Sequence, residues 1–503
     1  MNITSKAIQH PTIRKIFLPI AFGLLTAQLI ATVFVYNSNQ RIYTAADAIE
    51  KAGYLPIPAG KAMVSLNSIA PAIWGGLFFT LSIGTGLTLT AWIACRIWDL
   101  LFKRAPWIWV CYGVIWAGLL VWINHNGLAL FPSLFCLCVP PATGWITIRG
   151  MGKVSRPNAK WWFVPVITLA LLTALWATQL SKEIFITIRD HILLSNPIGR
   201  SVNDFYYRYT LYAAESFKSF DQKTLRTCKM EGFKEGGRSE QLINRLAQRD
   251  VLVLPAIRKP DIVLTSSNGH LRLASTGGRS IDTTVERFLA KPNTWLQKFS
   301  KTSDRAGPFR RITLLGLLLG FPILLFILIY GLFSVTFGLV VKENLVVLFA
   351  SALCLIIGIT LFVPMLNASP AQITQDGLGN ALASDQWPHR VAALRFSENR
   401  NIDIARHPSY LKLLASPMVV ERYWLARALA KSRTASTYPH LLELLKDPHP
   451  NVICQAFYAL GERGRRGAIH TINHKISDLD HWYAQWYGYR ALRKLGWHQR
   501  LSK

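Results

Sequence analysis

The chain has 503 residues, of which 51% are hydrophobic and 17% charged, and its 56 Lys and Arg against 27 Asp and Glu give a formal net charge of +29. Globular domains usually contain about a quarter charged residues, so this composition excludes an ordinary soluble protein. The basic surplus is +10 in residues 1–180, +10 in 181–311, zero in 312–367 and +9 in 368–503. Because the charge is spread over the polar segments, we expect contacts with anionic lipid head groups or acidic partners, and no nucleic acid.

Seven segments are apolar over about the 20 residues that a helix needs to cross a membrane. They are residues 16–36, 68–95, 107–123, 127–147, 161–180, 312–337 and 344–363. Arg14 and Lys15 precede the first segment, as in a signal peptide, but no small-residue cleavage site follows, so we expect an anchor. The sequence therefore predicts a membrane domain with five spans in 1–180 and a two-span hairpin in 312–367.

The short loops between these segments differ in charge, and Lys and Arg favour the cytoplasmic side of a membrane. Arg104 and Arg149 lie in the loops after the second and fourth spans, whereas the turn at 124–126 has neither Lys nor Arg. We therefore expect a cytoplasmic N-terminus, with residues 181–311 and 368–503 together on the opposite face. The compact loops favour a bacterial inner membrane, in which that face is periplasmic.

The interiors of the predicted spans contain no Asp, Glu, Lys, Arg or His. They therefore lack the ionisable groups that ion-coupled transport requires and the histidines that ligate a b-type haem. The second span is rich in glycine, with Gly75, Gly76, Gly84 and Gly86. Small residues permit close packing of neighbouring helices, and a substrate path beside a glycine-interrupted helix is the alternative.

Residues 181–311 have the pattern of a small α+β domain. The segments DVLVLP and DIVLTSSNGHLRLAST are typical of strands, and the Asn-Gly pair at 268–269 indicates a tight hairpin. Two of the seven cysteines lie in polar segments, Cys228 in this domain and Cys454 in the C-terminal region. An interdomain disulfide between them remains open.

An aromatic helix is predicted before these strands, between Phe205 and Phe220. Four tyrosines form a secondary candidate surface: Tyr206, Tyr207, Tyr209 and Tyr212. Such a cluster fits a lipid-facing surface, a partner-binding surface or a buried edge of the domain.

Motifs that carry catalysis are not found in this domain. The sequence has no nucleophile elbow, HExxH, P-loop or zinc-type Cys/His pair there. Asp190 and His191 contain the groups of an acid–base pair, but adjacent residues usually point apart. We therefore predict no catalytic residue, no metal ligand and no cofactor.

The C-terminal region, 385–503, repeats itself. The segments RVAALR, WLARALA, AFYALGE and GYRALRK align on the alanines Ala393, Ala428, Ala459 and Ala491, at spacings of 35, 31 and 32. This spacing is typical of helical hairpins that stack as a solenoid. Together with LLKDPHPNV and ALGERG, these units resemble HEAT-like repeats of the phycobilisome-lyase type. The resemblance implies an α-solenoid that supplies binding surface, and it brings no catalytic residue.

The last repeat is aromatic and basic. Its candidate partner-binding residues are Trp482, Tyr483, Trp486, Tyr487, Tyr489, Arg490 and Arg493. A terminal repeat normally turns a polar face outward as a cap. This one fits a protein-binding surface, an interfacial lipid contact, or a cap folded onto the rest of the molecule.

Together these patterns predict a polytopic α-helical membrane protein of about seven spans, with a small α+β domain and a C-terminal α-solenoid of HEAT-like repeats. We expect a scaffold or interaction subunit that recruits protein partners within a membrane complex, and no enzymatic activity. A transporter or transport accessory subunit is the alternative. A membrane enzyme whose site is assembled from distant loops is a third.

Overall fold

The computed structural model describes residues 11–151, 163–180, 183–233, 236–267, 269–366 and 373–499, which are mostly helical. Within these residues, six helices are long and apolar enough to cross a membrane by length and composition. They are Ile16–Lys51, Ile69–Leu100, Trp107–Asn124, Leu130–Gly150, Gly307–Gly338 and Leu345–Val363. A shorter apolar helix, Phe163–Thr178, has 16 residues, and residues 161 and 162 of the fifth predicted span lie outside the described ranges.

The apolar helices pack side by side in one bundle. The first, Pro11–Lys51, contacts Ile69–Phe79 and Leu130–Gly150 along its length. The shorter helix Phe163–Thr178 packs against Glu343–Leu366, and the indole Nε1 of its Trp176 donates to the carbonyl oxygen of Leu318 at 2.8 Å. The shorter helix is therefore part of the same bundle as the longer ones.

Two π-helical turns interrupt long apolar helices, one at Thr80–Gly84 and one at Gly316–Gly320. The turns contact each other, and a Cβ atom on Gly316 would lie 2.4 Å from the carbonyl oxygen of Ser82. On the neighbouring helix Ile69–Phe79, a Cβ on Gly76 would lie 3.1 Å from a backbone nitrogen of the first helix. The glycine-rich segment therefore lies at close helix crossings.

Short helices connect the bundle to its polar side. They are Gly60–Ser65, Ile184–Ile188 and the π-helical turn Arg189–Leu193. A 19-residue helix, Pro197–Glu215, follows and is called here the tyrosine helix. Pro197 is its first residue, and the Asn196 side chain caps it by accepting a hydrogen bond from the Gly199 amide at 2.7 Å.

One five-stranded sheet follows in the sequence. Its strands are β1 (Arg226–Glu231), β2 (Val251–Val253), β3 (Ile262–Ser267), β4 (His270–Ala274) and β5 (Ser280–Thr284), in the spatial order β2-β1-β3-β4-β5. β1 is parallel to β2 and β3, whereas β3, β4 and β5 are antiparallel. The predicted hairpin is the β3–β4 pair, and its Asn268 lies outside the described ranges.

The core of the sheet is smaller than the predicted domain 181–311. It runs from Phe220 to Phe299 and is covered by three helices, Gly237–Ala247, Val285–Ala290 and Pro292–Ser303. Leu211 and Tyr212 of the tyrosine helix belong instead to a larger core that also contains side chains of the apolar bundle and of the C-terminal helices. The tyrosine helix therefore joins the bundle to the C-terminal region.

The C-terminal region is built from helical hairpins. The first helices of successive units are Trp387–Arg400, Val419–Leu429, Pro450–Arg463 and Trp482–Lys494, and their starts recur at an almost constant interval. The second helices are Leu411–Leu414, Tyr438–Leu444 and Ala468–Asp478, and Leu378–Leu382 precedes the first unit. Each first helix packs against the next. Trp482–Lys494 is called here the terminal helix.

The helix starts correct the alignment of the first unit. Ala428, Ala459 and Ala491 are each the tenth residue of their helix, whereas Ala393 is the seventh residue of Trp387–Arg400 and Phe396 is the tenth. The first two units are therefore closer together in the chain than the pairing of Ala393 with Ala428 implies. Apolar residues recur on the same helix face at intervals of three and four, which is why the sequence alone permitted this shift.

An arginine contact recurs with the same period. Arg390 and Arg422 occupy the fourth position of successive first helices, and each donates to the carbonyl oxygen of a serine that precedes its helix. Each also pairs with an acidic residue at or near the start of the next unit, Arg390 with Glu421 and Arg422 with Asp447, both at 2.6 Å. Neighbouring units are thus joined by equivalent polar contacts as well as by apolar packing.

Candidate functional site

The two aromatic sets predicted from the sequence face each other. The Tyr207 ring meets the Tyr483 ring at an angle of 67°, with centroids 4.9 Å apart. The Tyr212 ring meets the Trp482 ring edge-on, with centroids 5.1 Å apart. The tyrosine helix and the terminal helix therefore form one aromatic junction, although the two sets are far apart in the chain.

Most of the candidate residues are covered by this junction. Trp482, Tyr489 and Tyr212 are buried, and Tyr206 and Arg490 are exposed. The others are half-buried: Tyr483, Trp486, Tyr487, Arg493, Tyr207 and Tyr209. Of the three arrangements open for the terminal repeat, the geometry corresponds to a cap folded onto the rest of the molecule. Of the three open for the tyrosines, it corresponds to a buried edge, and most of the expected partner surface is occupied by the chain itself.

Two glutamines fasten the C-terminal region to the segment between the first two apolar helices. Gln485, on the terminal helix, accepts from the backbone amide of Ala59 at 2.9 Å and donates to its carbonyl oxygen at 3.1 Å. Gln499 makes the same pair of bonds with Leu55, at 3.0 and 2.8 Å. A carboxamide can satisfy both groups of one residue because it is both donor and acceptor. Our reading of the sequence missed these residues, because a lone glutamine carries no spacing signal.

Asp250 fastens the terminal helix to the sheet. Its carboxylate accepts a hydrogen bond from the Tyr489 hydroxyl at 2.5 Å and forms an ion pair with Arg493 at 3.1 Å. Burial raises the pKa of the Asp250 carboxyl, although the Tyr489 hydrogen bond and the Arg493 charge oppose this shift. Asp250 has a φ of 58°, in the left-handed region, which Asp adopts more readily than most residues. The turn that ends helix Gly237–Ala247 thus directs its carboxylate at the terminal helix.

A pocket of about 300 Å³ opens beside this contact. It is called here the junction pocket, and the residues that determine its charge and shape are Lys223, Arg226, Asp250, Trp486, Tyr489, Arg490 and Arg493. Four of them are cations and one is an anion, so the lining carries a net charge of +3. The junction pocket therefore contains four of the seven residues predicted at the terminal repeat, in a setting that the sequence did not reveal.

Asp190 and His191 contact different helices. The Asp190 carboxylate is fully buried and accepts hydrogen bonds from Arg189 Nε at 2.8 Å and from the Trp424 indole at 2.7 Å. The His191 ring packs against Trp387 with centroids 5.7 Å apart, and burial lowers the pKa of this imidazole. Both side chains thus anchor the π-helical turn Arg189–Leu193 to the helical repeats.

The seven cysteines are free thiols. Cys228 is buried in β1 and Cys454 in helix Pro450–Arg463, so the interdomain disulfide left open by the sequence is not formed. Burial raises the pKa of both thiols, which makes them poor nucleophiles. Among the residues that the structure describes, no group of three or more His, Cys, Asp and Glu side chains is arranged to hold a metal ion.

Comparison with models of protein families, with curated proteins and with solved structures finds no match for this chain. Its function is therefore inferred from the fold, the aromatic junction and the junction pocket.

Proposed function

We propose that the protein is a polytopic membrane scaffold that presents HEAT-like repeats and a small α+β domain to protein partners on one side of a membrane. The observation that carries this proposal is the attachment of the repeats through buried polar bonds. Gln485, Gln499 and Asp190 join the C-terminal region to segments that adjoin the apolar bundle. A domain on a flexible linker has no fixed orientation, whereas these bonds give the repeat surface one orientation, as a scaffold requires.

The outer faces of the apolar helices support the membrane assignment. Val110, Ile115 and Leu171 are 68%, 69% and 54% exposed, on helices Trp107–Asn124 and Phe163–Thr178. Exposing apolar surface to water costs about 25 cal/mol per Å², and contiguous patches of this kind mark interaction or membrane surfaces. Lipid acyl chains would remove that cost.

Contacts among the loops support a common side for the polar domains. If each apolar helix, including Phe163–Thr178, crosses the membrane once, then residues 52–68, 125–129, 183–306 and 373–499 fall on one face. The structure contains contacts between these segments. The Ser65 hydroxyl lies 2.7 Å from the Tyr212 hydroxyl, and Asn126 donates to the carbonyl oxygen of Asp304 at 3.3 Å. Seven passes therefore agree with the packing of the polar side.

A cavity at the end of the bundle fits the proposed contact with anionic lipid head groups. It has a volume of about 260 Å³ and is lined by Trp122, Lys301, Asp304 and Arg311, among others. Asp304 is paired with Arg310, and neither Lys301 nor Arg311 pairs with a carboxylate in the described part of the chain. Their charges are therefore left for a lipid phosphate. A tryptophan beside two cations is typical of a membrane interface.

Site-specific photocrosslinking in intact cells tests the scaffold role. A photoreactive residue at His470, which is exposed on helix Ala468–Asp478, is expected to capture a discrete protein. The same residue at Ile115 is expected to capture lipid and serves as the matched control. The same reagent is also placed at Lys412 and Pro439, which like His470 are exposed on the second helices. If Ile115 captures lipid but none of these three positions captures a protein, the scaffold proposal is overturned and the membrane assignment is retained.

A transport role is the second candidate, and the paired π-helical turns are the observation that favours it. Such turns occur frequently at functional sites. Next to them, Gln28 accepts from the Thr80 hydroxyl at 2.7 Å and donates to the carbonyl oxygen of Ile73 at 2.9 Å, which makes a polar contact within an apolar bundle. The test measures the movement of charge or solute across the membrane of proteoliposomes. Transport is favoured if this movement is lost in Gln28→Leu but retained in Gln386→Leu, a control on the polar side.

A further inference from the structure

We propose that the junction pocket is a binding site for a phosphate group of a small molecule or a lipid head group, held between Arg226 of β1 and Arg490 of the terminal helix. The proposal concerns a ligand and does not depend on the scaffold role. It follows from how the charges of the pocket are partnered and from the indole beside the exposed arginine.

Two of the four cations in the pocket are already neutralised. Lys223 pairs with the Asp261 carboxylate, which also accepts hydrogen bonds from the backbone amide and hydroxyl of Thr227. Arg493 pairs with Asp250 and donates to the carbonyl oxygen of Gln248 at 2.6 Å. These pairs fix the walls of the pocket and leave their charges balanced.

The other two cations form no ion pair with a described residue, although the charges of Asp250, Asp261 and Asp221 act on Arg226 from a greater distance. Among the described side chains, no carboxylate lies within 4.0 Å of the guanidinium nitrogens of Arg226 or Arg490. Arg226 donates through Nη2 to the carbonyl oxygen of Arg249 at 2.7 Å, but its buried Nε has no hydrogen-bond acceptor. A bound anion would supply a negative charge beside Arg226 and Arg490, whereas the buried Nε has no exposed surface through which a ligand could reach it.

Asp250 does not oppose an anion at this place as strongly as its charge suggests. Its two carboxylate oxygens are used by the Tyr489 hydroxyl and by the guanidinium of Arg493. The aspartate, the tyrosine and the arginine therefore form a closed set with no net charge. Among the residues that line the pocket, the surplus is the charge of Arg226 and Arg490, and the nearby Asp221 offsets part of the charge of Arg226.

The two surplus positive charges favour a phosphate group, which can carry two negative charges near neutral pH, over a single carboxylate or a halide. A guanidinium presents its donors as a planar fork that matches the oxygens of phosphate. The Arg490 guanidinium is stacked on the Trp486 ring at 4.7 Å from its centroid, which holds the fork at the mouth of the pocket while leaving its edge free. A volume of about 300 Å³ admits a phosphate with a small substituent, at the lower end of ligand pockets.

The test is titration calorimetry of the full-length protein in phosphatidylcholine nanodiscs, with inorganic phosphate and pyrophosphate as probes. Saturable binding is expected for the wild type, and Arg490→Ala and Arg226→Gln are each expected to weaken it about tenfold or more, as the loss of a charge-assisted hydrogen bond does. Arg490→Lys is expected to retain only part of the affinity, since the ammonium group lacks the fork.

Arg465→Ala is the matched control. Arg465 is also exposed and stacked, at 4.8 Å from the Tyr438 centroid, but it lies outside the pocket. Its substitution is expected to leave binding unchanged. Equal losses in Arg465→Ala and Arg490→Ala would show general charge attraction and would overturn the proposal.

A second arm distinguishes the two sources of phosphate. Nanodiscs that contain phosphatidic acid are expected to compete with pyrophosphate if the ligand is a lipid head group, and to leave pyrophosphate binding unchanged if it is a soluble phosphate. Phosphatidic acid that binds only in the cavity beside Trp122 would act equally on the wild type and on Arg490→Ala, because that cavity is intact in the variant. Competition at the junction pocket must therefore disappear in Arg490→Ala. Absence of binding by phosphate, pyrophosphate and phosphatidic acid in the wild type would contradict the site. An unchanged melting temperature of Arg490→Ala verifies that its effect is on binding.

Discussion

His481 is a buried imidazole at the start of the terminal helix. It is 4% exposed, and neither of its ring nitrogens has a hydrogen-bond partner. Burial and then the charge of Arg208 lower the pKa of His481 to about 4, while Asp480 and Asp204 oppose the shift and His449 adds to it. The pKa of histidine in an unfolded chain is about 6.5. The unfolded chain therefore takes up this proton at a higher pH than the folded chain, and acid destabilises the fold.

We predict that the free energy of unfolding falls as the pH falls from about 6.5 towards about 4. By linkage, this histidine contributes a loss of about 1 kcal/mol between pH 7.5 and 5.5. Thermal melting in detergent at these two pH values is expected to show a smaller decrease in His481→Gln than in the wild type. Burial also lowers the pKa of His449, so part of the pH dependence remains in the variant. An equal decrease in both proteins would contradict the assignment.

Gln485 is the residue whose loss should loosen the junction most. Its side chain is fully buried, and Gln485→Leu would leave the amide of Ala59 without its acceptor and would remove the side-chain hydrogen bonds to the carbonyl oxygens of Ala59 and Leu479. One unsatisfied buried backbone group costs about 1–3 kcal/mol. The melting temperature is therefore expected to drop in Gln485→Leu but not in Gln386→Leu, whose side chain is exposed. Similar melting temperatures for the two variants would show that Gln485 does not anchor the junction.

At the scale of elements, the close helix crossing depends on Gly316. A methyl group there would meet the carbonyl oxygen of Ser82 at 2.4 Å, so Gly316→Ala must separate the two π-helical turns. Overpacking of this kind costs about 1–3 kcal/mol. Gly118→Ala is the control, because a methyl group at Gly118 would meet no atom within 4 Å, and alanine favours a helix over glycine. A lower melting temperature is expected for Gly316→Ala alone, and equal stability would show that the crossing is loose.

The elements differ in how far the sequence predicted them. The six long apolar helices and the β3–β4 hairpin follow from runs and alternation that are local in the chain. The placement of the terminal helix does not, because its contacts with Ala59 and Asp250 join distant parts of the chain. Aromatic residues such as Trp482 are enriched both on partner-binding surfaces and in buried junctions within a chain, so their presence in the sequence does not distinguish the two. The sequence thus singled out these residues and left their burial as one of several alternatives.

The junction pocket was out of reach of sequence reasoning for a related reason. Arg226 begins a strand and Arg490 lies on the last helix, and each alone is an ordinary surface cation. Their relevance depends on where Asp250, Asp261 and the other acidic residues lie, since those partners decide which charges are balanced. Only the packing of the sheet against the terminal helix defines that distribution.

At the scale of the whole molecule, the continuous core links the apolar bundle, the tyrosine helix and the repeats. In such an arrangement the orientation of the bundle determines the side of every polar domain. The positive charges at Arg104 and Arg149 favour the cytoplasm for one end of the bundle. Seven passes would then place the repeats on the other side. Phe163–Thr178 has only 16 residues, which span about 24 Å, so it would need the adjoining residues or a thinner bilayer to cross.

Accessibility of introduced cysteines to a membrane-impermeant thiol reagent measures this topology. In a background without the exposed Cys111, His470→Cys is expected to react in intact cells, whereas Arg149→Cys is expected to react only in inverted vesicles. The two positions lie on opposite sides only if an odd number of helices crosses the membrane between them. The apolar helices between residues 150 and 470 are Phe163–Thr178 and the two helices of the 307–366 hairpin. Reaction of both from the same side would mean that Phe163–Thr178 does not cross. The repeats would then lie on the basic, cytoplasmic side. The contacts of Asn126 with Asp304 and of Ser65 with Tyr212 could form only if the loops 52–68 and 125–129 also lay on that side.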